Sequence, residues 1–329
     1  MKITYSNNVL TLKLGKKVDF TIHKYYEAIK HASDNYSFQI IEIDFSETKY
    51  ITLPGGMYLL FILSSLINSK NKLNFYVESR ISNLSEPVLA SIANFGLINV
   101  FITYANLKVS EEIKHLSDNK INYWKTTVKK GNSNLNSIYW PVTIIPPKTS
   151  DSFENDAKSY INNFIDYFNA LSNNKIIGNL SGEILENNRK SFIRSINEAT
   201  KNVWDHSHSW GAASIYSSKN NKTTLCLFDY GVGFINSYIR RKGAFERNTA
   251  NDKGILKWLF DEFNTSNDTE NENQKENHGR GLARIAKFID ITNGILLIKT
   301  DKYMMQFDLK GLTISEQTYF PGTQIMINF

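Results

Sequence analysis

Short apolar blocks separated by polar turns characterise the first hundred residues. The pattern predicts four elements in order: a buried strand at 40–45, a helix at 57–67 introduced by Pro54, Gly55 and Gly56, a strand at 73–77, and a helix at 85–94 that ends before Gly96. Strands that alternate with helices imply neighbouring strands that run mostly parallel. We therefore expect an α/β domain over residues 1–105.

The second half of the chain has a different pattern. Residues 106–150 include a polar stretch at 129–136 and the pair Pro146-Pro147, so we expect a junction between domains there, although 138–145 also has the pattern of a strand that opens the second domain. In 151–329 the predicted elements are an amphipathic helix with an apolar stripe from Tyr160 to Leu171, a helix at 189–206, strands at 213–217 and 223–229 joined by an Asn220-Asn221 turn, a hairpin formed by 295–299 and 303–308, and a final strand at 324–329. Helices on one face of a largely antiparallel sheet make an α+β two-layer sandwich the simplest packing.

Composition adds a few constraints. A chain of 329 residues is long enough for two domains, each with its own core. The formal charge of +6 comes largely from scattered lysines, which favours a solvated surface over a nucleic-acid-binding patch. The apolar run at 58–67 is too short to cross a bilayer, and the first residues lack the apolar core of a signal peptide. We expect a cytoplasmic protein with no membrane partner.

Cys226 is the only cysteine, so an intramolecular disulfide is excluded. It lies in the apolar run 225–228, and this context favours a small buried side chain over a nucleophile.

The helix at 189–206 carries the first candidate chemistry. Glu198, Asn202 and Asp205 fall on one polar face, while the apolar positions Phe192, Ile196, Ala199 and Val203 form another. A carboxylate and a carboxamide one turn apart suit a magnesium–phosphate site, in which the neutral Asn202 ligates the ion and Glu198 takes a proton from water. A polar helix face in water explains the same pattern equally well.

A second candidate is the turn after the strand at 223–229. Asp229 ends this apolar strand and precedes Gly231 and Gly233. An ionised carboxylate accepts a hydrogen bond from the exocyclic amine of adenine, and glycines let the backbone pass close to a base and sugar. An ordinary Asp-x-Gly turn is the competing interpretation.

Glycines at two further positions complete the set. Gly279, Arg280 and Gly281 stand directly before a helix whose apolar stripe begins at Leu282, an arrangement that presents free amides and a favourable dipole to an anion. Pro321 and Gly322 precede Thr323, whose hydroxyl is placed to hydrogen-bond Asp229 or a neighbouring water; its alternative is an ordinary β-branched strand residue.

The segment 264–277 contains no apolar residue, so it cannot offset the entropy of ordering, and we expect a mobile loop. A plain insertion is compatible with this composition, and the position of the loop between two glycine motifs makes a nucleotide-covering lid the more interesting alternative. The P-loop motif Gly-x-x-x-x-Gly-Lys-[Ser/Thr] and the zinc motif His-Glu-x-x-His are both missing from the sequence.

Taken in order, these four segments resemble the GHKL ATPase superfamily with its Bergerat ATP-binding fold, over residues 151–329. The resemblance implies that Glu198 is the general base, that Asn202 is the Mg²⁺ ligand, and that Asp229, Gly231 and Gly233 bind adenine. It assigns Gly279, Arg280, Gly281 and Leu282 to the phosphate-facing glycine motif and Gly322-Thr323 to the terminal Gly-Thr. The segment 198–207 is most similar to anti-sigma-factor kinases, whereas Asp205 resembles the gyrase branch.

Residues 1–105 are similar to STAS domains, the fold of anti-sigma-factor antagonists, through the stretch 41–51 and the glycine-led helix after it. Where that family's phosphorylated member has Asp-Ser-Ser-Gly, this chain has Thr52-Leu53-Pro54-Gly55, so the acceptor serine is missing. A structural role for Thr52 is favoured over phosphorylation.

Three functions are compatible with these resemblances. The first is an ATP-binding regulatory protein, in which a lid at 235–280 closes over Mg-ATP, slow hydrolysis through Glu198 resets it, and the nucleotide state controls the STAS-like domain or a protein partner. The second is a serine/threonine protein kinase resembling anti-sigma factors, and the third is a non-hydrolysing ATP sensor. Relatives commonly dimerise, so a homodimer is a further expectation, although no segment of the sequence indicates an interface.

Overall fold

The protein is described here by a computed structural model covering residues 1–71, 76–129, 137–145, 210–218, 221–236, 251–258, 260 and 281–329, together with residues 193, 195, 196, 199 and 200. The chain forms two compact units. The first comprises Met1–Thr143 with Ser214–Tyr216 and Thr318–Phe320, and the second comprises Ile144–Ala213, Ser217–Gln317 and Pro321–Phe329. Helices and sheets are mixed throughout, which confirms the expected α/β content.

The first unit alternates strands and helices as its sequence pattern predicts. Its strands are β1 (Lys2–Ser6), β2 (Val9–Lys13), β3 (Lys17–Val18), β4 (Ile40–Asp44), β5 (Tyr50–Ile51), β6 (Glu78–Ser82) and β7 (Leu107–Lys108). Its helices are a 3-10 helix (Phe20–Tyr25), α1 (Tyr26–Asn35), α2 (Leu53–Asn71), α3 (Glu86–Asn94), α4 (Leu97–Tyr104) and α5 (Glu111–Lys129). The segment expected as a junction, 106–150, thus contains β7 and α5.

A mostly parallel sheet forms the centre of this unit. Its strand order is β1-β2-β4-β6-β7, in which β1 and β2 are antiparallel and every following pair is parallel. The register aligns Leu10 with Ile41 and Leu12 with Ile43, and all four side chains are buried. Alternate apolar positions of two neighbouring strands therefore supply one continuous part of the core.

The helix predicted at 57–67 is confirmed and extends over Leu53–Asn71 as α2. Positions 57–63 are all buried, as expected for a helix that is apolar on every side. Thr52 caps its N-terminus, because the Thr52 hydroxyl accepts from the Gly55 N–H at 3.3 Å and donates to the Val18 carbonyl at 3.3 Å. This geometry agrees with the structural role preferred for Thr52.

The helix predicted at 85–94 is confirmed as α3, but the strand predicted at 73–77 is displaced. Residues 72–75 lie outside the described part of the chain, Tyr76 and Val77 have no strand structure, and the strand β6 spans Glu78–Ser82. The reason is that β6 lies between β4 and β7, where backbone pairing on both edges outweighs its polar composition.

The second sheet has the order β11-β12-β10-β9-β8. Its strands are β8 (Ser137–Ile145), β9 (Gly211–Ser218), β10 (Asn221–Asp229), β11 (Ile295–Asp308) and β12 (Gly311–Asn328), and the described helices in this part of the chain include α6 (Asp252–Trp258) and α7 (Gly281–Thr292). Neighbouring β9 and β10 confirm the two strands predicted on either side of the Asn-Asn turn, of which Asn220 lies outside the described residues. β10 and β12 are antiparallel, as the sandwich prediction requires for this pair.

The hairpin predicted from 295–299 and 303–308 is wrong. These residues form one strand, β11, which passes through Asp301 with φ +49°. The polar pair Asp301-Lys302 has the composition of a turn, but the Asp301 side chain is used in contacts with another segment, and the strand continues. The final strand is also longer than predicted, because β12 begins at Gly311.

Cys226 is fully buried in β10, as its apolar context predicts. In the described ranges, no single helix is long and apolar enough to span a membrane; the consecutive helices α3 and α4, bent by 79°, reach that length and composition only when taken together. The predicted amphipathic helix at 160–171 and the polar loop at 264–277 lie outside the described residues.

Candidate functional site

Asp229 is the last residue of β10 and lies opposite Thr323 in the antiparallel register of β10 and β12. The Gly231 N–H donates to Oδ1 of Asp229 at 2.8 Å. The Thr323 backbone N–H and hydroxyl both favour the ionised Asp229 carboxylate and lower its pKa. The turn after β10 and the strand β12 therefore both act on this side chain, and a direct hydrogen bond from Thr323 stays a prediction.

Burial controls the electrostatics of Asp229. The residue as a whole keeps some exposure, but its carboxylate is enclosed by protein, and this desolvation raises the pKa of Asp229 to about 6. The Gly231 N–H and the two Thr323 groups act in the opposite direction, while the negative charge of Asp301 raises the pKa further. Asp229 is thus a buried acid that is ionised at neutral pH and titrates slightly below it.

Gly322 brings β12 close to the end of β10. It has φ +75°, and a Cβ at this position would overlap the carbonyl oxygen of Asp229. A side chain at residue 322 would therefore push apart the strand ends that carry Asp229 and Thr323. This requirement explains in physical terms why glycine precedes Thr323.

Gly231 and Gly233 form the turn after Asp229, and a helix begins at Gly233. Gly233 has φ +76°, and a Cβ on it would lie 2.6 Å from Oδ2 of Asp301. The turn therefore packs directly against β11. The first helical residues after it are held there by the Thr300 hydroxyl, which accepts from the Phe234 N–H at 2.9 Å.

Thr300 and Asp301 are part of this site, and sequence reasoning missed both. Thr300 is completely buried, and Asp301 keeps 9% of its surface exposed. The available signal is an acidic residue three positions after the apolar run 295–298, at the place where the predicted hairpin has its turn. Burial raises the pKa of Asp301 to about 6, the Thr300 hydrogen bond and Lys299 oppose this rise, and Asp252 adds to it.

Two aromatic rings flank the same region. Trp210 and Tyr230 lie parallel within 5°, with ring centroids 6.3 Å apart, and the Tyr230 N–H donates to the Trp210 carbonyl at 3.1 Å. Tyr230 is the residue directly after Asp229, so this backbone bond fixes the exit of β10 from its other side.

The glycine motif before α7 is described only from Gly281 onward. α7 begins at Gly281, and Ile285, Ala286 and Ile289 are buried as the predicted stripe requires, while Leu282 is half-buried. The helix packs against β11. Gly279 and Arg280 lie outside the described residues.

Glu198 and Asn202 also lie outside the described residues. The neighbouring positions 193, 195, 196, 199 and 200 are helical, and Ile196 and Ala199 are buried as their places on the apolar face predict. Among the described residues, no group of three or more His, Cys, Asp or Glu side chains is arranged to hold a metal ion.

No protein-family model matches the sequence, and no curated protein matches it either.

Proposed function

We propose that residues 151–329 bind ATP in the manner of the GHKL superfamily, with Asp229 as the acceptor for the adenine amine. The observation that carries the proposal is the buried Asp229 carboxylate, held at the end of β10 by Gly231 and Thr323. Burial of a charge is costly, so a carboxylate enclosed by protein calls for an explanation beyond stability.

The hydrogen-bond inventory of Asp229 supports this role. An ionised carboxylate has about four acceptor sites; the Gly231 N–H uses one at 2.8 Å, and the backbone N–H and hydroxyl of Thr323 lower the pKa of the same group. The remaining capacity suits one further donor, such as the exocyclic amine of adenine. Guanine carries a carbonyl oxygen at the corresponding ring position, so this site would favour adenine nucleotides over guanine nucleotides.

Other features support the finer fold assignments. The antiparallel pair β10–β12, which brings the Asp229 turn and the Gly322-Thr323 segment together, supports a Bergerat-type domain. The mostly parallel sheet of the first unit supports a STAS-like domain. In this proposal Asn202 ligates Mg²⁺ and Glu198 is the general base for hydrolysis of the bound ATP.

We propose further that the nucleotide state regulates the STAS-like domain or a protein partner. Hydrolysis, phosphoryl transfer to another protein and binding without turnover are three distinguishable outcomes. Incubation of the full chain with γ-labelled ATP and Mg²⁺, with and without candidate partner proteins, separates them: free phosphate supports the ATPase, labelled partner supports the kinase, and bound but unchanged ATP supports the sensor.

The binding step is tested by replacing Asp229 with Asn in the full chain. The loss of one charge-assisted hydrogen bond should weaken ATP binding about 10- to 150-fold in an equilibrium titration. The matched control is Asp308→Asn, because Asp308 also ends a strand and accepts a backbone N–H two residues later at 2.8 Å, but it is only half-buried and its pKa lies below the ordinary value. Wild-type affinity in Asp229→Asn, or no ATP binding by the wild-type chain, would overturn the proposed function.

A further inference from the structure

We propose that Thr300 and Asp301 are positioning residues for the nucleotide site: they hold the Asp229–Gly233 turn in its binding conformation from the neighbouring part of β11. The inference rests on the proposed function and extends it to two residues outside the motifs that suggested it. Neither residue need touch the nucleotide.

The geometry that carries this inference is the start of the helix at Gly233. The first N–H groups of a helix have no partner within the helix, and a side chain just before the helix usually accepts one of them. Here the acceptor comes from a distant strand: the Thr300 hydroxyl accepts from the Phe234 N–H at 2.9 Å. The Ile235 backbone N–H also acts on the Asp301 carboxylate and lowers its pKa.

Additional contacts fix Asp301 against the turn. The Asn236 side-chain amide donates to Asp301 Oδ1 at 3.4 Å, and the Thr300 hydroxyl lies 3.4 Å from Oδ2. Gly233 leaves room for this carboxylate, since a Cβ there would lie 2.6 Å from Oδ2. The turn and the Thr300-Asp301 pair therefore fit one another in both hydrogen bonding and shape.

The backbone of β11 is shaped to make these contacts. Asp301 has φ +49°, a left-handed conformation that residues other than glycine, asparagine and aspartate seldom adopt. The buried Lys299 ammonium donates to the Asp301 carbonyl and stabilises this bend. Strain of this kind persists where surrounding contacts hold it, and here those contacts lead to the Asp229 turn.

The charged groups around Asp301 make its role measurable. Lys299 on β11 and Asp252 on α6 act on its carboxylate, and the hydroxyl of Tyr303 orients Asp252 through a hydrogen bond of 3.1 Å. On the turn itself the charged group is Asp229, whose pKa Asp301 raises. Removing the Asp301 charge should therefore lower the pKa of Asp229 and shift the pH dependence of nucleotide binding.

The test compares adenosine and ADP affinities of the wild-type chain with those of Asp301→Asn, Thr300→Val and Thr300→Ser between pH 5 and pH 8.5. Asp301→Asn and Thr300→Val should each bind about 2- to 10-fold more weakly at pH 8, the effect of one or two lost hydrogen bonds. In Asp301→Asn the fall in affinity at acid pH should also move to lower pH. Thr300→Ser keeps the hydroxyl and should bind like wild type.

Each result decides the question. Wild-type affinity in both Asp301→Asn and Thr300→Val, with the pH profile unmoved, would overturn the positioning role and leave the proposed function intact. Absence of binding by the wild-type chain would overturn both. If Asp301→Asn fails to fold, the two Thr300 variants decide the question. The inference is then supported only if Thr300→Val binds more weakly and Thr300→Ser binds like the wild-type chain.

Discussion

Asp229 and Thr323 lie directly opposite one another on β10 and β12, and the Thr323 backbone N–H and hydroxyl both favour the ionised Asp229 carboxylate. The backbone donor is present whatever residue occupies position 323. The hydroxyl donor is specific to threonine or serine, so it can be removed without altering the strand pairing.

Replacing Thr323 with Val should raise the pKa of Asp229 above its value of about 6. The hydroxyl stabilises the ionised carboxylate, and the loss of one charge-assisted hydrogen bond corresponds to an increase of about one pKa unit or more. The measurement is a pH titration of the Asp229 carboxyl resonance by NMR, assigned by its absence in Asp229→Asn.

Two controls accompany this titration. Thr323→Ser keeps the hydroxyl and should leave the pKa of Asp229 near its original value. Thr313→Val removes an exposed hydroxyl elsewhere on β12 and should have no effect on Asp229. An unchanged or lower Asp229 pKa in Thr323→Val would show that the hydroxyl does not stabilise the carboxylate.

The two buried acids, Asp229 and Asp301, should make the second unit less stable as the pH rises. Each has a pKa of about 6 in the fold, above the ordinary value of 3.8, so the folded state binds protons more tightly than the unfolded state. Their stabilising contribution is therefore complete below about pH 4 and is lost as the pH rises through about 6. The free energy of unfolding should therefore fall as the pH rises between about 4 and 6. Replacing either residue with Asn should make this fall less steep by up to about 1.4 kcal/mol per pH unit.

Cys226 provides the measurement, because it is the only cysteine in the chain and is buried in β10. Burial strongly raises the pKa of its thiol, so a thiol reagent should react only with molecules in which the sheet has opened. Samples equilibrated in urea at each pH receive a short labelling pulse at one fixed pH, which removes the effect of pH on the thiol itself. If the free energy of unfolding depends on pH as steeply in both Asn variants as in the wild-type chain, the prediction is contradicted.

Local sequence patterns predicted the elements that carry their own signal. β10 has an apolar run that ends at Asp229, and α7 has apolar positions spaced for one buried face, so both could be assigned from neighbouring residues alone. The α2 helix is apolar without interruption over residues 57–63, so it could be predicted for the same reason. In each case the side chains near in sequence decide the structure.

The errors arose where distant contacts decide it. Asp301 and Lys302 have the composition of a turn, yet β11 continues because Asp301 accepts from the Asn236 side chain and faces Gly233. The strand predicted at 73–77 is displaced to the polar segment β6, because strands on both sides pair with its backbone. The contribution of Asp301 to the candidate site could not be predicted for the same reason. The residues near Asp301 in sequence do not indicate that its carboxylate contacts the start of a helix about 65 residues earlier.

Replacing Gly322 with Ala should open the second sheet at the Asp229 turn. The backbone has φ +75°, and the new Cβ would overlap the Asp229 carbonyl oxygen. Conformational strain and steric overlap together should cost about 2–5 kcal/mol of stability. Pulse labelling of Cys226 should detect this loss of stability, because the sheet that buries Cys226 should open at a lower urea concentration than in the wild-type chain.

Gly311→Ala is the matched control, because Gly311 lies at the other end of β12 with φ +90° but has open space where a Cβ would be placed. Gly311→Ala should lose only the stability that corresponds to the conformational strain of a positive φ, about 1–2 kcal/mol. The difference between the two variants therefore measures how closely Gly322 packs against Asp229. Equal losses would mean that the strand ends separate at little cost, and that the approach of Thr323 to Asp229 does not depend on glycine at position 322.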